Sequence, residues 1–316
     1  MNDSPAPVAP VGGEEPAGAE GIVRYRSVQD DSARWAGFPF RDGDIVISTS
    51  PKSGTTWMQM ICALLVLRTA RLPAPLAQLS PWLDWLMEPR DEVFARLAAQ
   101  PHRRIIKTHT PLDGIPLDDR ATYLVVARHP LDAAVSRHHQ RGNLDQRRIR
   151  QLTGRPEPTG PPAPAVPLRE GLLAWIDHDG DPRQEGNSLP GVLWHLSDAW
   201  ARRDSRNVVL VHYDDLRSDL EGEMRRLAVR LGVDVPGPQW PGLVEAASFE
   251  GMRRRADVLA PDGAGVLVDR AAFFRRGRSG EGRRVLTPDE VDHYHRRAAR
   301  FAPPEMLEWL HRPLAT

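Results

Sequence analysis

Short apolar runs and longer amphipathic stretches alternate along this chain, and their spacing predicts the fold. Four runs rich in β-branched residues are typical of buried strands: 44–50, 103–109, 122–128 and 207–213. Stretches with helical spacing separate them: 55–70, 89–100, 129–141, 168–180, 189–204 and 214–232. Strands that alternate with helices predict a single α/β domain, a parallel sheet flanked by helices.

Three segments fall outside this alternation. Residues 1–21, rich in Pro, Gly, Ala and Glu, predict a disordered tail rather than a signal peptide, which leaves 22–316 as the domain. Residues 153–167 carry six prolines and two glycines, which excludes a helix or inner strand. We expect a mobile insertion there, an alternative being a hinge. After 232 the pattern is mainly helical except for an Arg- and Gly-rich loop at 268–284.

Composition narrows the classes of function. The 316 residues include 42 basic and 42 acidic ones, so no excess of positive charge favours a nucleic-acid or membrane-surface partner. No apolar stretch approaches the roughly 18 residues of a membrane span. One cysteine, Cys62, cannot form an internal disulfide, so a cytoplasmic location is expected.

The two lysines stand out because the other 40 basic residues are arginines. Lysine presents a compact point charge that the planar guanidinium of arginine does not reproduce. Lys52 and Lys107 are therefore candidates for a site that requires lysine.

A glycine loop follows the first predicted strand and opens the first helix, an arrangement that binds phosphate. Its sequence is SPKSGTTW, and its candidate anion ligands are Lys52, Ser53, Gly54, Thr55 and Thr56. The loop is not a Walker A motif, in which the lysine follows the glycine. Trp57, one step into the helix, either stacks on a base or packs in the core.

The second and third predicted strands also end in polar residues, at the edge where ligands of parallel sheets bind. Lys107 and His109 are two residues apart, so their side chains share one face of the strand. A neutral imidazole can accept the proton of an attacking hydroxyl, which makes His109 a candidate general base. Arg128 ends the third strand, where a guanidinium can bind a phosphate, and Ser136 follows eight residues later.

Together these segments resemble the cytosolic sulfotransferase family, which uses 3′-phosphoadenylyl sulfate (PAPS). The resemblance rests on SPKSGTTW, on K-T-H-T-P at 107–111 and on the segment 123–140, and it extends to FFRRGRSG at 273–280. It implies that Arg128, Ser136, Arg275, Arg276 and Gly277 bind the 3′-phosphate region. It further places Tyr213, Ser248 and Phe249 near the adenine.

The chain departs from the family pattern at several positions. His129 stands where many relatives carry Asn, Arg276 replaces Lys, and Ala247 replaces Thr. The tryptophan that commonly follows the last glycine motif is absent, since Gly282 occupies its place. The family's dimer motif is matched only in part near 283–292, so the sequence is compatible with either a monomer or a homodimer.

The resemblance implies transfer of a sulfuryl group from PAPS to a hydroxyl of a small-molecule acceptor, with PAP as product. His109 would be the base, Lys52 would stabilise the leaving phosphate, and Lys107 would contact the sulfuryl oxygens. No metal is expected. Alternatives are a P-loop kinase and a nucleotide-binding module without turnover. Segments 78–95 and 139–195 would form the acceptor pocket with the C-terminal loop. Trp82, Trp85, Trp175 and Trp194 would either line that pocket or pack in the core.

Overall fold

The computed structural model of the protein describes residues 21–157, 164 and 166–313. The tail predicted at 1–21 therefore lies outside the described residues except for Gly21. Of the proline-rich insertion at 153–167, residues 158–163 and 165 lie outside them as well, so its mobility stays a prediction.

A four-stranded parallel sheet forms the centre of the domain, which confirms the predicted fold class. Its strands are β1 (Ile45–Ser48), β2 (Ile105–Thr108), β3 (Thr122–Ala127) and β4 (Val208–His212). Their spatial order is β2-β1-β3-β4, and each strand is shorter than its predicted range. Because every pairing is parallel, the four carboxyl ends lie at one edge of the sheet.

Helices cover both faces of the sheet. The sixteen helices of the described residues are α1 (Thr55–Leu67), α2 (Leu76–Leu79), α3 (Arg90–Ala99), α4 (Pro130–Arg141), α5 (Gln146–Thr153), α6 (Leu168–Asp177), α7 (Leu189–Ala201), α8 (Tyr213–Ser218), α9 (Leu220–Leu231), α10 (Trp240–Ala247), α11 (Phe249–Arg253), α12 (Ala256–Leu259), α13 (Arg270–Phe273), α14 (Glu281–Val285), α15 (Pro288–Ala298) and α16 (Pro304–His311). Short 3₁₀ turns occupy Ser32–Trp35, Leu112–Gly114 and Gly237–Gln239.

Local chemistry explains several of these boundaries. Helix α4 begins with Pro130, whose missing N–H is not needed in a first turn. Helix α9 ends at Gly232, which adopts the left-handed conformation (φ 61°) as predicted. The single helix predicted over 214–232 is wrong, because Asp219 interrupts it (φ −143°). The Asp219 carboxylate accepts a hydrogen bond from the Gly222 N–H at 2.8 Å and starts a new helix.

Two apolar cores lie on opposite faces of the sheet. Successive residues of each strand point to opposite faces of the sheet. Val46 and Val125 therefore pack in one core, against α4, α7 and α15. Ile47 and Val126 pack instead against α1, α9 and α10. A strand buried on both faces reads as a continuous apolar run, which is why the strands were visible in the sequence.

The edge of the sheet opposite the carboxyl ends is held by a buried ion pair. Arg104 donates from Nε to Asp44 at 2.8 Å and also from Nη2 to the same carboxylate. Asp44 further accepts the backbone N–H of Arg41 at 2.9 Å. No helix within the described residues is both long and apolar enough to cross a bilayer.

Candidate active site

The loop between β1 and α1 has an unusual backbone. Lys52 and Gly54 both have positive φ angles, 70° and 110°. A left-handed conformation costs a residue with a side chain about 1–2 kcal/mol. At Lys52 it is supported by the Arg128 guanidinium, which donates to the Lys52 carbonyl at 3.1 Å. A Cβ on Gly54 would stand 3.0 Å from the Tyr213 ring, so glycine also permits close packing.

The first turn of α1 follows this loop without a side-chain cap. Its N–H groups are therefore left for a ligand, and their dipoles favour an anion. The Thr55 hydroxyl is hydrogen-bonded to that of Thr49 at 2.6 Å, and the Ser53 hydroxyl to that of Ser50 at 2.8 Å. These contacts fix the loop from behind.

Lys107, in β2, and His109, just after it, face the same space, as their spacing predicted. Residues 81–83 pair with β2 and bring Trp82 between them. The Lys107 ammonium lies 4.0 Å from the Trp82 ring centre, and the His109 ring meets the same indole edge-on at 4.7 Å. His109 donates from Nδ1 to the Thr49 carbonyl at 2.7 Å, since a carbonyl can only accept. In the neutral ring, Nε2 is then free to accept a proton.

Arg128 extends from the end of β3 beneath the loop. It donates to the carbonyls of Lys52 and Arg278, at 3.1 and 3.0 Å, and covers the Tyr213 ring at 4.4 Å. Its Nε is buried and lacks a partner among the described residues. This environment rules out a simple surface ion pair.

The loop before α14 closes the site from the C-terminal side. Arg275 and Arg276 both donate to Glu281, Arg275 with two nitrogens. The Asp132 carboxylate accepts the N–H groups of Gly280 and Gly282, at 2.7 and 2.9 Å, and so fixes this loop to α4.

These elements enclose a first cavity of about 200 Å³. Of the sixteen residues that the sequence singled out, fourteen line it, all but Ser53 and Ser248. It brings together six cationic side chains, and none of its described lining residues is acidic. The six are Lys52, Lys107, Arg128, Arg275, Arg276 and Arg278. In a chain with no net charge, this concentration fits a polyanionic ligand.

The two other residues have local structural roles. The Ser248 hydroxyl caps α11, accepting the Gly251 N–H at 3.0 Å, and Ser53 is turned toward Ser50. Trp57 donates to the Ala247 carbonyl at 2.8 Å and meets Tyr213 edge-on, so it both packs and lines the cavity.

Sequence reasoning missed several lining residues. Phe273 lies 4.2 Å from the Lys52 ammonium, and Gln140 accepts a hydrogen bond from that ammonium at 3.3 Å. Met252, Pro261, Phe273, Phe274 and Arg278 line the first cavity, whereas Gln140 does not. The phenylalanines and Arg278 stand within or beside the FFRRGRSG motif, which was the available clue.

Burial and neighbouring charges shift the pKa values of the lysines and the histidine of the site. Burial lowers the pKa of Lys52 to about 7, with Arg128 as the next cause. Burial also lowers the pKa of Lys107 to about 8, although Asp84 opposes the shift. The pKa of His109 falls well below its usual value because of burial and then Lys107. His109 is therefore neutral at pH 7, the form that can accept a proton.

Two further cavities adjoin the first. The second cavity, of about 360 Å³, shares Lys52, Lys107 and His109 with it and has a mostly apolar wall that includes Trp82 and Trp85. The third cavity, of about 1010 Å³, also includes His109 and has a mixed polar and apolar lining. Trp175 lines the third cavity from the core, whereas Trp194 is exposed and donates to the Tyr25 hydroxyl. Among described residues, no group of His, Cys, Asp or Glu is placed to hold a metal ion.

Comparison with known proteins gives one family. The family model described as "Sulfotransferase domain" matches residues 42–308. A "Glycolipid sulfotransferase" of Mycobacterium bovis is 40% identical over 92% of this chain and 94% of its own length. "Sulfotransferase 1C2" of Homo sapiens is 24% identical over 85% of this chain and 86% of its own.

Solved structures agree on the fold. Mouse sulfotransferase SULT7A1 complexed with PAP has a TM-score of 0.63 at 20% identity, covering 88% of this chain and 92% of that one. Retinol dehydratase in a complex with retinol and PAP has a TM-score of 0.64 at 21% identity, covering 85% and 84%.

Proposed function

The chain belongs to the sulfotransferase family, and from this premise we propose that it transfers a sulfuryl group from PAPS to a hydroxyl of a glycolipid-like acceptor. The first cavity would bind PAPS and release PAP, and the second and third cavities would hold the acceptor. A kinase is excluded by the family. A cytoplasmic location and the choice between monomer and homodimer stay predictions.

The observation that carries the proposal is the junction of the first and second cavities. Lys52, Lys107 and His109 line both of them, so they stand where a donor and an acceptor would meet. A neutral imidazole and two ammonium groups at such a junction suit a reaction that removes a proton and develops negative charge.

The reaction would proceed by in-line attack. The acceptor oxygen forms a bond to sulfur while the bond from sulfur to the bridging phosphate oxygen breaks. Nε2 of His109 takes the hydroxyl proton. Lys52 stabilises the charge on the departing phosphate, and Lys107 the sulfuryl oxygens.

The other donor-binding residues would act on the two ends of PAPS. The loop residues Ser53 and Gly54 and the first-turn residues Thr55, Thr56 and Trp57 would bind the 5′-phosphate side. Arg128, Ser136, Arg275, Arg276 and Gly277 would bind the 3′-phosphate, with Tyr213, Phe249 and Ser248 toward the adenine. Arg275 and Arg276 would exchange Glu281 for phosphate oxygens, a charge-assisted contact of the same kind.

The acceptor class is inferred from the shape of the cavities and from the mycobacterial relative's name. An amphipathic molecule could place its apolar part in the second cavity and its polar part in the third, with a hydroxyl at His109 between them. A glycolipid has this division.

The test is transfer of ³⁵S from labelled PAPS to octyl glucoside and to a panel of phenols and alcohols. His109→Ala should lower turnover about 10²-fold or more and leave PAP affinity nearly unchanged. Lys52→Arg should also lower turnover, because a planar guanidinium does not replace the ammonium at the bridging oxygen. Tight PAP binding without transfer to any acceptor would instead favour a nucleotide-binding module.

A further inference from the structure

Two arginines of α4 face the acceptor side of the site. Arg137 and Arg141 line both the second and the third cavity, close to where these meet at Trp82 and His109. They are four residues apart and so share one face of the helix. Within the described residues, neither guanidinium group makes a hydrogen bond or an ion pair.

The surroundings offset this positive charge only in part. The pKa of Arg137 is lowered to about 10, mainly by burial and next by the charge of Arg141. Like charges at this spacing repel each other. Glu185, the carboxylate that acts on Arg137, is hydrogen-bonded to His178 at 2.6 Å.

The other acids of these cavities are also engaged. Glu88 accepts a hydrogen bond from Arg96 at 3.1 Å, and Asp30 accepts one from the Ser27 hydroxyl. The second and third cavities thus combine partnered carboxylates with unpartnered guanidinium groups.

PAPS does not account for these arginines. Neither Arg137 nor Arg141 lines the first cavity, which already has six cations of its own. The negative charge that would match them must therefore come from a molecule in the second or third cavity.

We propose that the acceptor carries an anionic group, a phosphate, carboxylate or sulfate, that Arg137 and Arg141 bind beside the reacting hydroxyl. The apolar part of the acceptor then lies in the second cavity. This inference rests on the proposed function, because it specifies the acceptor of that reaction. It assigns the two arginines to substrate selection rather than to the chemical step.

The experiment compares acceptor pairs that differ in charge. Octyl glucuronide and its methyl ester have the same ring hydroxyls, and decyl phosphate and decanol provide a second pair. Calorimetry measures the binding of each to the protein–PAP complex, which requires no turnover. We expect the anionic member of at least one pair to bind about tenfold more tightly or better, as charge-assisted hydrogen bonds do.

The variants assign that preference to residues. The double variant R137Q/R141Q should reduce the ratio to within about twofold, and R141Q alone should reduce it partly. R147Q is the matched control, because Arg147 is an exposed arginine of α5 that lines none of these three cavities. Melting temperatures check that the variants fold.

Two results would overturn the inference: ratios near one for both pairs in the wild-type protein, or a preference that survives in R137Q/R141Q. Failure of the proposed function looks different. In that case no ³⁵S reaches any acceptor, while the binding ratios still decide whether the two arginines select an anion.

Discussion

We expect the Lys52 amine to gain a proton when PAP binds. In the free protein the pKa of this lysine is about 7, because it is buried beside Arg128, Lys107 and Arg275. PAP brings negative charge into the same cavity, and an opposite charge favours the ammonium form. The pKa of Lys52 must therefore rise on binding, and the proton comes from solvent.

The magnitude follows from that pKa. At pH 8 a group with a pKa near 7 is about 90% neutral, so binding takes up about 0.9 proton when the bound pKa is about 10 or higher. The direction of the pH dependence follows from this. The affinity for PAP is highest below pH 7, where Lys52 is protonated before PAP binds, and it falls as the pH rises. Between pH 7 and 9 the association constant should fall about 50-fold.

Calorimetry in buffers of different ionisation enthalpy measures the uptake directly. At pH 8 a phosphate monoester, with a pKa near 6, is already ionised and adds little. Lys107, with a pKa of about 8, adds a fraction of a proton, so Lys107→Met serves as the background. In that background uptake should persist, somewhat reduced because the loss of Lys107 raises the pKa of Lys52 in the free protein, and vanish when Lys52→Met is added. Uptake near zero in Lys107→Met itself would refute the reasoning.

Two further changes test the scaffold around the site. Gly277→Ala should weaken PAP binding about tenfold by titration, since Gly277 has φ 58° and a Cβ there would collide with the Phe249 ring; unchanged affinity would show that this contact does not matter. Asp44→Asn should lower the free energy of unfolding by about 3–5 kcal/mol in urea titrations, because it leaves Arg104 buried without its charge partner. Its kcat/KM should stay normal below the melting temperature, because the pair lies at the far edge of the sheet, and a loss of activity in folded protein would contradict this.

The local sequence was enough to predict the fold and most of the candidate site, because both depend on short-range patterns. A strand buried on both faces must be continuously apolar, so β1 to β4 were found within a few residues of their ends. The loop at 50–57, the pair Lys107 and His109, and Arg128 each lie at or just after the carboxyl end of a strand. Parallel strands bring such ends to one edge, whatever the rest of the chain does.

Prediction from the local sequence failed where a side chain is compatible with two different local structures. Asp219 has a sequence context that suits a continuing helix, but its carboxylate caps a new one. The short α5 was not predicted, and α13 and α14 form within the segment expected to be loop at 268–284.

By itself the sequence determined the sheet, the phosphate-binding loop and the family, since each is written in a contiguous run of residues. Only the tertiary structure decided which distant side chains meet. It put Trp82 against His109, Phe273 over Lys52, and Arg137 at the junction of two cavities. These contacts depend on how helices and loops pack over the sheet, and packing selects partners by shape and burial rather than by separation along the chain.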